Sequence, residues 1–150
     1  QFAGPVQATW PTSYYGPESG LGLGVGPLPA GSRRIGVVGL GTGTLARHPD
    51  ARWRIGPDGL SRLVAAQAGL LEGAATVVRP GGWLVYATCS LEPEENEEQV
   101  DQFLDRHPEF RRDPGLTVPS ALLTAAGDLQ LLPHRDGLDG AFASRLRQTR

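Results

Sequence analysis

Residues 79–97 read RPGGWLVYATCSLEPEENE and carry the clearest structural pattern in the sequence. Within them, Trp83–Ala87 is a continuous apolar run, which is typical of a strand buried on both faces of a sheet. A Pro-Gly-Gly turn precedes this run, and an acidic run follows Pro93, where the dipole of a beginning helix would favour negative charge. Cys89 therefore lies immediately after the most clearly marked strand, at the carboxyl end where open α/β sheets place their ligand crevices.

Other elements are predicted on both sides of this strand. Turn formers are too dense in residues 1–32 for a helix. The remaining predicted elements are, in chain order, a strand at Ile35–Val38, a helix at about Leu60–Val78, a helix that opens at Glu92 and ends before Pro108, an irregular stretch at 109–127, and an antiparallel strand pair at Leu129–Leu132 and Gly140–Leu146. Strands that alternate with helices predict an α/β sheet, mostly parallel, with about four to five strands.

Composition limits the classes of function. At 150 residues the chain is expected to form a single domain. Its net charge is −2, so any contact with RNA would be local, and Arg47, Arg52 and Arg54 are the candidates for phosphate contact. No apolar run approaches the roughly 20 residues that a membrane span needs, which predicts a soluble, cytoplasmic protein with no membrane partner. The chain lacks methionine, which suggests a fragment, a processed chain or a truncated reading frame.

Chemically reactive side chains are few. Cys89 is the only cysteine, so the chain has no internal disulfide. A helix that begins soon after it could lower the thiol pKa and promote the thiolate, although acidic residues in its first turn oppose that shift. The alternative is an inert, small apolar residue. His48, His107 and His134 lack the spacing of metal ligands, so no metal is expected.

Two further patterns leave alternatives open. Gly39, Gly41 and Gly43 follow a predicted strand, and such a turn lets backbone amides approach a nucleotide-like ligand. The same glycines also suit a flexible turn between a strand and a helix. The acidic cluster Glu92–Glu98 could supply paired catalytic carboxylates, but a solvated helix start is the favoured interpretation.

The stretch 79–97 closely resembles the nucleophile motif of bacterial Sun/Fmu-type rRNA cytosine-5 methyltransferases, a family that also includes RsmB. The similarity continues in residues 43–53 and 139–146 and covers about residues 41–150. It implies a Rossmann-like α/β methyltransferase fold that depends on S-adenosylmethionine, truncated in this chain, with a carboxyl-terminal antiparallel strand pair. It also implies that Cys89 is a nucleophile that adds to C6 of cytosine in rRNA. Gly39, Gly41 and Gly43 are the expected contacts to S-adenosylmethionine.

The chain departs from this family at one motif. In the family, the strand before Gly41 ends in Asp, any residue, Pro and a second Cys, and the matching positions here include Gly36, Val38 and Gly39. The resemblance therefore implies impaired activation of the base and impaired product release. Residues 1–46 resemble spermidine synthase-like proteins instead, so the single methyltransferase-like domain expected over 1–150 joins two related segments.

Three functions follow from these resemblances. The first is an RNA cytosine-5 methyltransferase that acts in rRNA processing. The second is a catalytically inactive hybrid or remnant of a methyltransferase-fold domain. The third is a spermidine synthase-like domain that binds a nucleoside such as decarboxylated S-adenosylmethionine. The sequence gives neither the target nucleotide nor the oligomeric state.

Overall fold

The computed structural model describes residues 35–38, 57–114 and 118–149, with the first of these segments described as backbone only. Its helices are α1 at Pro57–Ala75, α2 at Glu97–Arg106 and the short α3 at Pro133–Asp136, with 3-10 turns at Pro93–Glu95 and Ser120–Leu122. Its strands are β1 at Ile35–Val38, β2 at Trp83–Thr88, β3 at Phe110–Arg112, β4 at Leu129–Leu131 and β5 at Ala141–Gln148. Helices and strands alternate over much of this chain, as predicted.

One sheet joins all five described strands, in the order β1-β2-β5-β3, with β4 also paired to β5. β1 and β2 run parallel, with Ile35 opposite Trp83 and Val38 opposite Tyr86. The pairings of β5 with β2, β3 and β4 are antiparallel. The predicted closing pair is thereby confirmed, as β4 with β5. The prediction of a mostly parallel sheet is wrong for the described strands, because β5 is antiparallel to each of its neighbours. The connection from β4 to β5, residues 132–140, is shorter than the roughly twelve residues that a parallel crossover needs.

The two long helices differ from their predicted bounds. α1 begins three residues before Leu60, since proline suits the first turn of a helix, and it ends at Ala75, before the β-branched residues Thr76, Val77 and Val78. The second predicted helix is broken at Asn96, which separates the 3-10 turn from α2 and has non-helical φ and ψ of −115° and −108°. This break carries a polar side chain toward β2, as described below.

The stretch predicted to be irregular contains β3. Phe110 is buried, and its ring packs edge-on against Phe103 with 5.3 Å between centroids. β3 is too short to show a period of two in sequence, so its pairing with β5 and the burial of one ring decide its conformation.

The core lies on both faces of β2, whose six residues are all buried. The face toward α1 and α2 carries the larger cluster, which comprises Leu71, Ala75, Val78, Leu84, Tyr86, Val100, Phe103, Phe110, Phe142 and Leu146. The opposite face carries a smaller one, which comprises Ala87, Leu129, Leu131, Ala141 and Ala143. Burial on both faces confirms the prediction that this apolar run is a buried strand. Cys89 is the first residue after this strand.

Candidate functional site

Cys89 directly follows β2 and is partly buried. The parallel pairing places the carboxyl end of β1 beside that of β2, since Val38 lies opposite Tyr86. β5 runs the other way and brings its amino end to the same edge, with Phe142 opposite Thr88. Cys89 therefore stands at the sheet edge where ligands bind in folds of this class.

A closed set of hydrogen bonds fixes both neighbours of Cys89. The Thr88 hydroxyl donates to the side-chain oxygen of Asn96. The Asn96 amide nitrogen donates to the Ser90 carbonyl at 3.0 Å, and the Ser90 backbone N–H donates to the Thr88 hydroxyl at 3.2 Å. Thr88, Ser90 and Asn96 are all buried, with relative exposures of 5%, 2% and 2%. We call these three residues the Asn96 bracket.

The turn that carries Asn96 is itself anchored from two sides. The Gln67 side chain on α1 donates to the Glu95 carboxylate at 2.6 Å. The Tyr86 hydroxyl on β2 donates to the Glu95 carbonyl oxygen, also at 2.6 Å. Burial raises the pKa of Tyr86, and the charge of Glu95 raises it further, so Tyr86 stays a neutral donor at physiological pH. The sheet and α1 therefore hold the residue immediately before Asn96.

Burial of Glu95 corrects the interpretation of the acidic cluster as a solvated helix start. Glu92, Glu94 and Glu98 are exposed, but Glu95 is completely buried. Its side-chain partner lies 28 positions away in sequence, and a single sequence carries no signal for such a pairing. The described geometry gives Glu95 a side-chain partner in Gln67.

A close contact joins the loop after Cys89 to the start of β5. A Cβ atom added to Gly140 would lie 2.7 Å from Cδ2 of Leu91, which is closer than real side chains approach. The segment before β5 therefore packs closely on the loop that follows Cys89, and a larger residue at position 140 would require the Leu91 side chain to shift. Leu91 is otherwise exposed, at 51%, and places apolar surface beside the cysteine.

The other predicted site residues are placed only in part. Gly36 lies opposite Leu84 within β1. Gly39, Gly41 and Gly43, and the arginines at 47, 52 and 54, lie outside the described residues. The cofactor contacts therefore stay a prediction.

The described part of the chain was compared with the requirements of a metal site and of a membrane-spanning helix. Within residues 35–38, 57–114 and 118–149, no group of three or more His, Cys, Asp or Glu side chains could hold a metal ion. His107 instead contacts Glu72 and Glu109 through its two ring nitrogens. Over the same ranges, every helix is too short or too polar to cross a membrane.

A sequence model of the family described as 16S rRNA methyltransferase RsmB/F matches residues 38–147. The probable ribosomal RNA small subunit methyltransferase B of Synechocystis is 41% identical over 111 residues, which are 72% of this chain and 25% of that protein. The ribosomal RNA small subunit methyltransferase B of Thermus thermophilus is 44% identical over 124 residues, which are 81% of this chain and 31% of that protein. The chain thus spans about a quarter to a third of the length of these relatives.

Two solved structures are similar in fold. The crystal structure of PH0851 has a TM-score of 0.68 and 37% identity, and the match covers 76% of this chain and 26% of that one. The structure of NSun6 from Pyrococcus horikoshii with SFG has a TM-score of 0.57 over 64% of this chain and 25% of that one. At 22% identity, the second similarity concerns the fold alone.

Proposed function

Because the chain belongs to the 16S rRNA methyltransferase RsmB/F family, we propose that it carries the nucleophile of an rRNA cytosine-5 methyltransferase, and that this nucleophile is Cys89. Methyltransferases of this family use S-adenosylmethionine. The observation that supports the assignment is the position of the thiol, partly exposed at the carboxyl edge of the sheet between two buried residues held by Asn96. Membership of this family also favours rRNA as the substrate and the cytoplasm as the location.

The proposed reaction begins with the thiolate of Cys89. Its sulfur forms a bond to C6 of the target cytosine, and the electron pair of the C5–C6 double bond moves to C5. S-adenosylmethionine, when bound, supplies the electrophilic methyl group that C5 takes. Loss of the C5 proton then restores the double bond and expels the Cys89 thiolate. The target base must leave its stack to reach the thiol.

Gly39, Gly41 and Gly43 are the residues proposed to hold the cofactor, as backbone donors in a turn. Their fit rests on topology, since they directly follow β1 and the carboxyl end of β1 lies beside that of β2. The turn would therefore start at the same sheet edge as Cys89, where nucleotide-like ligands bind in this fold class.

One part of the family's chemistry lacks its residues here. The chain has a single cysteine, and Gly39 occupies the position of the second. Gly36 occupies the position of the family's Asp in a strand that pairs directly with β2. Loss of the family's Asp should slow activation of the base, and loss of its second cysteine should slow product release, so a covalent complex with RNA should form slowly and then persist rather than turn over.

A covalent trap tests the proposal. The 150-residue chain is incubated with S-adenosylmethionine and a 16S rRNA fragment that contains 5-azacytidine, and complexes that survive denaturation are separated by electrophoresis. We expect such a complex with the wild-type chain and none with Cys89→Ser or Cys89→Ala.

The circular dichroism of all three proteins controls for folding. A complex that persists in the Cys89→Ser variant would assign the bond to another residue. Folded wild-type protein that forms no complex would instead favour the inactive hybrid or remnant. The spermidine synthase-like alternative rests on residues 1–46, of which only 35–38 are described, and stays a prediction.

A further inference from the structure

We propose that Asn96 is a positioning residue that holds Cys89 in the conformation required for attack on the base. The inference rests on the proposed function of Cys89 and adds to it the residue that controls the thiol. Its basis is that a single side-chain amide contacts both chain neighbours of the nucleophile, Thr88 through its oxygen and Ser90 through its nitrogen.

An amide of this length meets requirements that other side chains do not. Asn96 must offer one acceptor to a hydroxyl and one donor to a carbonyl within a buried site. Aspartate has the same length but offers only acceptors when ionised, so it would face the Ser90 carbonyl with an oxygen. Alanine would leave the Ser90 carbonyl without this donor and the Thr88 hydroxyl without this acceptor.

The backbone break at Asn96 serves the same purpose. A continuous helix from Pro93 to Arg106 would carry position 96 through regular helical geometry, whereas the observed φ and ψ of −115° and −108° interrupt it. The turn before the break is tied to Gln67 on α1 and to Tyr86 on β2. The sheet and α1 therefore hold Asn96 in place, and its hydrogen bonds to Thr88 and Ser90 fix the position of the thiol between them.

Loss of the bracket should have opposite effects on two reactions of Cys89. A loosened loop exposes a partly buried thiol more often, so a small reagent should react faster. Addition to cytosine requires one orientation between sulfur and C6, so the RNA complex should form more slowly, as misplaced reacting groups generally do. A side chain that only stabilises the fold would not separate the two rates in folded protein.

The test measures alkylation of the sole cysteine by iodoacetamide and formation of the 5-azacytidine RNA complex, both well below the melting temperature. For Asn96→Ala we expect alkylation roughly fivefold faster and complex formation at least tenfold slower, within the range that small misplacements produce. Thr88→Val should change both rates in the same directions, and Thr88→Ser, which keeps the hydroxyl, should restore them.

Gln99→Ala is the matched control. Gln99 is also a buried amide near the start of α2, with 1% exposure, but it donates to the Val64 carbonyl at 3.0 Å and takes no part in the bracket. Its loss should leave both rates within about twofold of wild type.

Three outcomes separate the two proposals. Equal alkylation rates in Asn96→Ala and Gln99→Ala would overturn the positioning role, whether or not RNA complexes form. Faster alkylation in Asn96→Ala with no complex from wild type would support the bracket and contradict the methyltransferase proposal. Faster alkylation together with slower complex formation would support both.

Discussion

The two ends of β2 are surrounded by different kinds of buried side chains. At its amino end, the larger core cluster packs the rings of Phe103 and Phe110 against the sheet. At its carboxyl end, the face toward α1 and α2 carries buried polar groups joined by hydrogen bonds, from Gln67 and Glu95 to the Asn96 bracket, while Ala87 packs in the smaller apolar cluster on the opposite face. Burial of apolar area is non-directional, whereas hydrogen bonds fix distances and angles. We therefore expect the amino end mainly to stabilise the fold and the carboxyl end mainly to fix the geometry at Cys89.

Phe103→Ala should produce the largest loss of stability and so test the apolar end. Phe103 is fully buried, and truncation of a buried phenylalanine typically costs about 3–5 kcal/mol through lost transfer energy and the cavity left behind. Urea unfolding measures the loss. Alkylation of Cys89 in the protein that remains folded should match wild type, because Phe103 lies about two helical turns beyond Asn96 along α2.

Leu104→Ala is the control for this substitution. Leu104 neighbours Phe103 on α2 but is only partly buried against the same cluster, so its truncation should cost clearly less. Equal losses for the two variants, or a change in Cys89 alkylation with Phe103→Ala alone, would contradict the division between the ends of β2.

Glu95→Ala should produce an intermediate effect at the polar end. It removes the oxygen that accepts from Gln67 at 2.6 Å within a buried site, and an unsatisfied buried polar group costs about 1–3 kcal/mol. Because the same turn carries Asn96, Cys89 should also be alkylated faster. Urea unfolding and alkylation measure the two effects in one preparation.

Glu94→Ala controls for the loss of one acidic residue from the same turn. Glu94 is exposed, and surface substitutions of this kind usually stay within about 0.5 kcal/mol of wild type. If Glu95→Ala changed stability without altering the alkylation of Cys89, the polar end would not control the thiol.

The same division explains which features the sequence could predict. β2 was predictable because a continuous apolar run after a Pro-Gly-Gly turn is a local signal. α1 was predictable from its periodic apolar face, although its ends shifted by three residues. β3 was missed because its conformation depends on pairing with β5, far along the chain. The dominance of antiparallel pairings was missed for the same reason, since strand order is set by tertiary contacts.

The site was predictable to a similar extent. The position of Cys89 at the end of β2 followed from the strand, and its proposed role from the resemblance. The burial of Glu95 and the hydrogen bonds of Asn96 to Thr88 and Ser90 could not be predicted from the sequence. Both residues lie in an acidic run whose composition is typical of a solvated helix start. Partners such as Gln67 enter the site only through packing of α1 against the sheet.

A third region, on the outer side of the apolar end, joins α1, α2 and β3 through charge. His107 lies between Glu72 and Glu109, with its ring nitrogens 2.5 Å and 3.0 Å from their carboxylate oxygens. The imidazole also stacks on Phe103, with 4.3 Å between centroids. Arg106 faces Glu72 as well, at 3.0 Å. Both nitrogens can donate at once only when the ring is protonated, so this cluster should make the stability of the apolar end depend on pH.

The direction of this pH dependence follows from the pKa shifts of His107, Glu72 and Glu109. Burial lowers the pKa of His107, but its hydrogen bonds to Glu109 and Glu72 outweigh burial and raise that pKa above its ordinary value of 6.5. Hydrogen bonds from His107 lower the pKa of Glu72 and Glu109 below 4.5. The contribution of His107 is therefore complete below pH 6.5 and is lost as pH rises through its folded pKa. The contribution of the carboxylates is present above pH 4.5 and is lost as pH falls through their lowered values.

His107→Gln tests this dependence and should give the smallest of the three effects, because Glu72 and Glu109 are more than a third exposed and water screens them. Urea unfolding from pH 5.5 to 8.5 should show wild-type stability falling as pH rises, and a flatter profile for the variant. Glu72→Gln should reduce the slope without abolishing it, since Glu109 still faces the ring. Identical slopes in wild type and His107→Gln would mean that the ring does not gain its proton on folding, and the apolar end would then owe its stability to packing alone.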